Sequence, residues 1–261
     1  MKQGMPIALK SKAELLLMRE AGRIVARVHA ALREMIRPGV TTAELNVKAD
    51  QIIRAHDAIP AFLGYPHTGK NDFPASICTS INEEIVHGIP SRKRWLEPGD
   101  IISLDVGAVY RGWVGDSAWT YAVGAIDNES RRLMEATEGS LWAGIRQMRV
   151  GNRLADISAA IESHVKLRGF MVVREYTGHG VGRKMHEDPQ VLNYVPPKGG
   201  HGPRIQAGMT FALEPMVNAG TLRTRVLGDG WTVVTLDGKR SAHFEHTVAV
   251  TDGEPEILTI L

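Results

Sequence analysis

One cysteine, Cys78, stands in 261 residues, so no disulfide can form within the chain. Such usage suits a reducing compartment. No stretch approaches the roughly 18 uninterrupted apolar residues that a membrane-spanning helix needs, and Met1 to Lys10 carry no apolar run of signal-peptide length. A cytoplasmic protein without membrane contact is expected. An excess of one charge is also missing: 31 Lys and Arg stand against 29 Asp and Glu with no basic block, which argues against a specific nucleic-acid ligand. The familiar nucleophile motifs are absent too. There is no GxSxG elbow and no HExxH helix, since His186-Glu187 lacks the second histidine. The lone thiol lies in an apolar, strand-like run, where an inert buried cysteine is the default.

What is present is a mixture of helical and strand patterns, with 43% hydrophobic residues to fill a core. Ser11 and Glu14 have capping-box spacing ahead of Leu15, Met18, Val25, Val28 and Leu32, and Pro38-Gly39 ends that helix. Thr41 and Glu44 repeat the signal before Leu45, Ala49, Ile52 and Ile53. Pro60 to Phe73 reads as a loop. Ser76 to Ser80 reads as a short strand. Two strands, Asp100 to Val109 and Ser117 to Val123, flank the turn-forming Arg111-Gly112, with Asp116 at the start of the second. Helical periodicity returns over Asn128 to Met148 and Leu154 to Leu167. Strand-like segments follow at Met171–Val173, Thr210–Leu213, Trp231–Leu236, His243–Val250 and Glu256–Leu261. Helices leading and strands following in each portion predict α+β rather than regular βαβ alternation.

A faint internal repeat accompanies this order. Gly39 precedes Asp105 by 66 residues and Gly151 precedes Glu214 by 63, each acid preceded by a leucine and each glycine leading a helix. Two related α/β halves meeting at a shared site would produce it, as would a chance likeness of two helix-then-strand segments.

Acids inside apolar strands carry the chemical signal. Asp105 follows Ile101-Ile102-Ser103-Leu104, Glu214 interrupts Phe211-Ala212-Leu213, and Glu245 lies between Phe244 and His246. One such carboxylate is explained by an arginine partner or a solvent-exposed strand end. Four, counting Asp116, would repel one another unless a cation holds them, and two bridged divalent ions would account for the set. His179, inside Thr177-Gly178-His179-Gly180-Val181-Gly182, adds a nitrogen ligand that suits Mn(II), Fe(II), Co(II) or Zn(II) better than Mg(II) or Ca(II). The glycine run has neither GxGxxG spacing nor a P-loop lysine, which disfavours a phosphate site. His87 and His186 are further candidates.

Taken together, these segments resemble the type I methionine aminopeptidases of peptidase family M24, in the short form without an N-terminal zinc-binding extension. The resemblance covers nearly the whole chain from Ser11. It rests on Ser80-Ile81-Asn82-Glu83 with His87-Gly88-Ile89-Pro90, Asp105 and Asp116 eleven apart, the glycine-flanked His179 with His186, Glu214-Pro215-Met216, and Asp229-Gly230-Trp231-Thr232 leading to Glu245-His246-Thr247. It implies a pita-bread fold: two pseudo-twofold α/β halves, roughly 11–124 and 125–255, around a central antiparallel sheet in one catalytic domain spanning 1–261. It also implies two divalent ions, with Co, Mn, Fe, Zn and Ni all conceivable, held by Asp105, Asp116, His179, Glu214 and Glu245. Asp105 would chelate one ion, His179 and Glu214 would serve the other, and Asp116 and Glu245 would bridge them. A metal-activated water would then attack the first peptide bond, with Glu214 as acid/base and His87 and His186 stabilising the oxyanion.

By the same resemblance the methionine pocket is expected from Phe62, Tyr65, Phe73, Cys78, His87, Met185, His186 and Trp231. Phe62 and Met185 depart from the family's best-known members, and Pro66 to Asp72 is a few residues longer than in the shortest ones. The implied substrates are nascent polypeptide N-termini with a small second residue, met by a monomer with transient ribosome association. X-Pro aminopeptidases and prolidases share the ligand set but usually carry an additional N-terminal domain. Type II methionine enzymes insert a helical segment where His186 and Glu214 here lie only 28 residues apart. A binding protein that kept the fold without catalysis would be expected to have lost ligands.

Overall fold

The structure, a computed structural model, describes residues 7–67, 69, 71–198 and 200–261. In chain order the elements are α1 (Lys12–Met35), α2 (Thr42–Ala55), β1 (Ile59–Pro60), β2 (Ile77–Ile81), β3 (Glu84–Val86), β4 (Ile101–Tyr110), β5 (Trp113–Ala122), α3 (Asn128–Ile145) and α4 (Leu154–Lys166). They continue with β6 (Met171–Val172), β7 (Gly178–Gly180), β8 (Glu187–Val191), β9 (Thr210–Leu213), β10 (Met216–Asn218) and β11 (Thr224–Val226). The last four are β12 (Val233–Thr235), β13 (Ser241–His243), β14 (His246–Ala249) and β15 (Glu256–Ile257).

Both sequence-predicted capping boxes form. Glu14 N–H donates to Ser11 Oγ and Glu44 N–H donates to Thr41 Oγ1, while each glutamate carboxylate accepts from its cap's backbone N–H at 2.8 Å. Helices α1 and α2 bury Val25, Val28, Leu32, Leu45 and Ile53 against β4, and α3 and α4 bury Leu133, Leu141, Ile157 and Ile161 against β9, β10 and β13. Each half is thus a helix pair laid over antiparallel strands, and each owns a separate hydrophobic cluster.

The described strands pair antiparallel throughout, in four sheets: β1-β4-β2 with β5 on β4, then β13-β10-β6, β11-β12-β3 and β15-β14-β9-β7-β8. The two halves meet along β5 and residues 243–247 through side-chain hydroxyls more than through a ladder. Glu245 N–H donates to Ala118 O at 2.7 Å, Ser117 Oγ donates to Glu245 O at 2.6 Å, and Thr247 Oγ1 donates to Asp116 O at 2.8 Å.

Three expectations from the sequence need correction. Asp116 does not begin its strand; β5 starts at Trp113, and Asp116 lies within it. Gly115 lies inside the strand because α1 crosses β5 at that point: a Cβ on Gly115 would stand 2.6 Å from Gly22 N. The run His243–Val250 is two strands, since the Glu245 N–H turns to Ala118 and leaves the ladder. The strands expected over Trp231–Leu236 and Glu256–Leu261 shrink to Val233–Thr235 and Glu256–Ile257. The lengthened segment Pro66 to Asp72 falls partly outside the described residues.

Candidate metal centre and active site

The eleven-residue spacing of Asp105 and Asp116 follows from a two-residue hairpin. Arg111 and Gly112 both have positive φ, 49° and 78°, and close β4 onto β5 below the pair Tyr110–Trp113. In that register Asp105 faces Ala118 and Gly107 faces Asp116. The two acids are therefore diagonal neighbours on one face, and Gly107 places no side chain between them.

His179 and the glutamates come from the other half. His179 lies in β7 opposite Ala212 of β9, Glu214 directly follows β9, and Glu245 directly precedes β14. The last ladder pair is Leu213 with His246, so the two glutamates leave the sheet together. The glycines around His179 permit close approach: a Cβ on Gly178 would stand 2.5 Å from Ala212 O, and one on Gly180 2.4 Å from Asp188 O.

One cavity of about 140 Å³ gathers all of this, and thirteen side chains line it. They are Asp105, Asp116, His179, Glu214 and Glu245 with His87 and His186, together with Phe62, Tyr65, Phe73, Cys78, Met185 and Trp231. The structure thus brings every candidate site residue to a single place. Phe73 stacks edge-on against Trp231 at 5.2 Å, and His87 meets Trp231 at 6.1 Å. His87 has a positive φ of 60°, a conformation that costs a non-glycine residue about 1–3 kcal/mol and clusters at functional sites. Met185 and His186 sit on a turn pinned by Glu187, whose carboxylate accepts from Lys10 Nζ at 2.8 Å and from the Arg183 and Lys184 N–H groups at 2.8 and 3.1 Å.

The electrostatics ask for a cation. Burial raises all four acids: Asp116 to about 7, and Asp105, Glu214 and Glu245 well above the usual carboxylate range, with the neighbouring carboxylates adding to the effect on those three. Asp105 Oδ1, Asp116 Oδ1 and Glu245 Oε1 are buried without a hydrogen-bond partner. His179 sharpens the point. Its Nδ1 lies 2.9 Å from the Gly180 carbonyl, which can only accept, so Nδ1 carries the proton and Nε2 presents a lone pair. That lone pair faces Glu214 Oε1 at 3.4 Å and Asp116 Oδ2 at 3.8 Å, an arrangement of like partial charges. Burial keeps the ring neutral, lowering its pKa to about 3. Asp116, His179 and Glu245 each offer a ligand atom within 4.8 Å of the others, so a divalent cation fits the donors present. Asp105 and Glu214 line the same cavity outside that tightest group.

Cys78 faces Asp105 across β2 and β4, and burial followed by the charges of Asp105 and Asp116 pushes its thiol up. It remains a neutral wall residue. Gly107 bears on the pocket as well as the acids. A Cβ there would stand 2.8 Å from Met185 Cε, 3.0 Å from Phe62 Cε1 and 3.0 Å from Ala61 Cβ. Gly107→Ala is expected to cost about 1–3 kcal/mol of stability by overpacking and to raise KM for any substrate whose side chain fills this cavity. An unchanged KM in steady-state assays would show that Phe62 and Met185 do not shape the pocket.

One close neighbour escaped the sequence reading. His243 is buried with Nε2 3.6 Å from Glu214 Oε2. In sequence it is only the first residue of an expected strand, and no local pattern joins it to Glu214.

Antiparallel halves closing over buried acids and an imidazole beside an apolar pocket form a site suited to metal-dependent chemistry on a small apolar group. The model of metallopeptidase family M24 matches residues 16–252, and the chain belongs to that family. Its relatives narrow the class. A protein named methionine aminopeptidase 1, from Bacillus subtilis (strain 168), is 52% identical over 253 residues, covering 97% of this chain and 99% of that protein. The crystal structure of methionine aminopeptidase from Rickettsia prowazekii superposes with a TM-score of 0.93 at 41% identity, covering 98% of this chain and all of that one. A prolidase from Pyrococcus furiosus shares the fold at a TM-score of 0.76 and 20% identity, and the match covers only 65% of its chain.

Proposed function

We infer that this cavity receives the free N-terminus of a peptide, and that the chain is a methionine aminopeptidase removing the initiator methionine from nascent proteins and peptides. The observation that carries the inference is the joining of a cation-seeking acid and histidine cluster to an apolar wall in one cavity. A methionine side chain suits Phe62, Tyr65, Phe73, Met185 and Trp231, because a thioether packs well against aromatic edges and another thioether.

Divalent ions would be held by Asp105, Asp116, His179, Glu214 and Glu245, which line this one cavity. When bound, such ions acidify a water and polarise the scissile carbonyl. The protein's own groups do the rest. Glu214, whose carboxyl burial raises well above its usual range, takes a proton from the attacking water and passes it to the leaving amine. His186 Nδ1 lies 2.6 Å from Tyr65 Oη. With the phenol donating to Nδ1, the neutral ring keeps its proton on Nε2 and points a donor at the developing oxyanion. His87, kept neutral by burial with its pKa lowered to about 4, adds a second donor. A cavity of about 140 Å³ suits one residue, and a small second residue fits best beside the cluster. No helix among the described residues is long and apolar enough to cross a membrane; a single catalytic unit acting as a monomer, with at most passing ribosome contact, suits the substrate.

The test is hydrolysis of Met-Ala-Ser, Met-Leu-Ser and Ala-Pro-Ala by chelator-stripped protein resupplied with Mn(II), Co(II), Fe(II), Zn(II) or Ni(II). Metal-dependent release of methionine, chiefly from Met-Ala-Ser, is the expected result. Preferential cleavage of Ala-Pro-Ala would assign the site to X-Pro bonds instead.

A further inference from the structure

Glu214 has two carboxylate oxygens, and the cluster engages only one. Oε1 faces His179 Nε2 at 3.4 Å, while Oε2 faces His243 Nε2 at 3.6 Å on the other side. The His243 ring is buried at the end of β13, and its Nε2 has no hydrogen-bond partner. Its main chain is fixed. The His243 N–H donates to Thr120 Oγ1 at 2.9 Å, its carbonyl accepts from the same hydroxyl at 2.8 Å, and the residue pairs with Met216 across β10. On the facing side, the Glu214 carbonyl accepts from Asn193 Nδ2 at 3.0 Å. Two anchored backbones therefore hold a ring nitrogen and a carboxylate oxygen 3.6 Å apart, facing each other.

We propose that His243 is a positioning residue for Glu214: in its Nε2–H tautomer it donates to Oε2 and keeps Oε1 directed into the cluster. This rests on the acid/base role given to Glu214 above. The separation is a few tenths of an ångström beyond an N–H···O bond, and a slight turn of the carboxylate closes it. Bonds of this kind tighten in the substrate complex. The arrangement resolves two costs together. A buried ring N–H finds an acceptor, and a carboxylate that must move a proton is denied free rotation. A neutral donor also leaves the acid able to pick up and release that proton, which a lysine or arginine in its place would oppose.

The test pairs spectroscopy with kinetics. In zinc-loaded protein with ¹⁵N-labelled histidine, His243 is expected as the Nε2–H tautomer; an Nδ1–H tautomer or a metal-coordinated Nε2 would overturn the proposal. His243→Leu is expected to lower kcat by about 10- to 100-fold with KM little changed, and His243→Gln, which keeps an N–H at similar reach, to recover most of the loss. Equal activity of folded Leu and Gln variants, or wild-type kcat in the Leu variant, would also overturn it. Should the Leu variant not fold, the tautomer decides alone. An active Glu214→Gln protein would instead unseat the role of Glu214, whereas an inactive one beside a fully active His243→Leu protein rejects only the positioning role.

Discussion

Glu214→Gln is expected to cut kcat by about 10²- to 10⁴-fold, the range in which positioned acid–base groups contribute, while the protein folds and binds substrate. The amide keeps the shape of the side chain and one oxygen beside His179, but it can neither accept nor return a proton at the working pH. Stability should not suffer. Burial and the charges of Asp116 and Asp105 push the Glu214 carboxyl well above its usual range, which means that its ionised form is a burden to the fold without a cation. A neutral amide relieves that burden. Two measurements separate the role of proton carrier from that of ligand. Metal content determined on the purified variant shows whether the site still fills, and turnover is then followed up to saturating Mn(II). Recovery of activity at high metal would mean that Glu214 serves mainly as a ligand. A persistent deficit at full loading, with KM near the wild-type value, is the expected outcome.

How much of this site could be seen in the sequence depends on how its residues are joined. The pair Asp105 and Asp116 is local: a two-residue turn at Arg111-Gly112 converts a spacing of eleven into a diagonal contact, and apolar alternation marks the strands. Capping boxes at Ser11 and Thr41 are local as well, and both form as their spacing predicts. Glu214 and Glu245 are different. Between them lie β10 to β13, and only the pairing of β9 with β14 brings them together, so no spacing rule reaches them. Their placement in one site came from the family resemblance and from the oddity of acids in apolar runs. The halves meet through hydroxyls of Ser117, Thr120 and Thr247, residue types that carry no long-range signal. For the same reason the buried pair Lys10–Glu187 and the ring of His243 became visible only in three dimensions. The start of β5 lies three residues earlier than the sequence suggests because Gly115 sits inside the strand where α1 crosses it closely, a contact that no local pattern signals.

Chelated protein should become more stable as pH falls from 8 towards 5, and metal should reverse that trend. The sign follows from the acids. Burial raises Asp116 from 3.8 to about 7 in the folded state, so between those values the folded chain binds more protons than the unfolded one. Stability then falls as pH rises through that window, and the full penalty of the ionised group is present above it. Asp105, Glu214 and Glu245 shift in the same direction and act in the same sense. A bound divalent cation favours the ionised cluster, so it stabilises most at high pH, and at a free concentration 100 times Kd it contributes about 2.7 kcal/mol. Asp116→Asn tests the cause through a change of sign. Without metal the variant should melt at a higher temperature than wild type at pH 8 and lose much of the difference at pH 5, because it removes one of four repelling charges. With metal it should melt lower than wild type and show little hydrolysis of Met-Ala-Ser, because one of the proposed ligands has gone. Scanning calorimetry of both proteins, with chelator and with Mn(II), measures all four cases. If the chelated variant is less stable than wild type at pH 8, the carboxylates are not in conflict in the empty site, and the electrostatic case for a cation there fails.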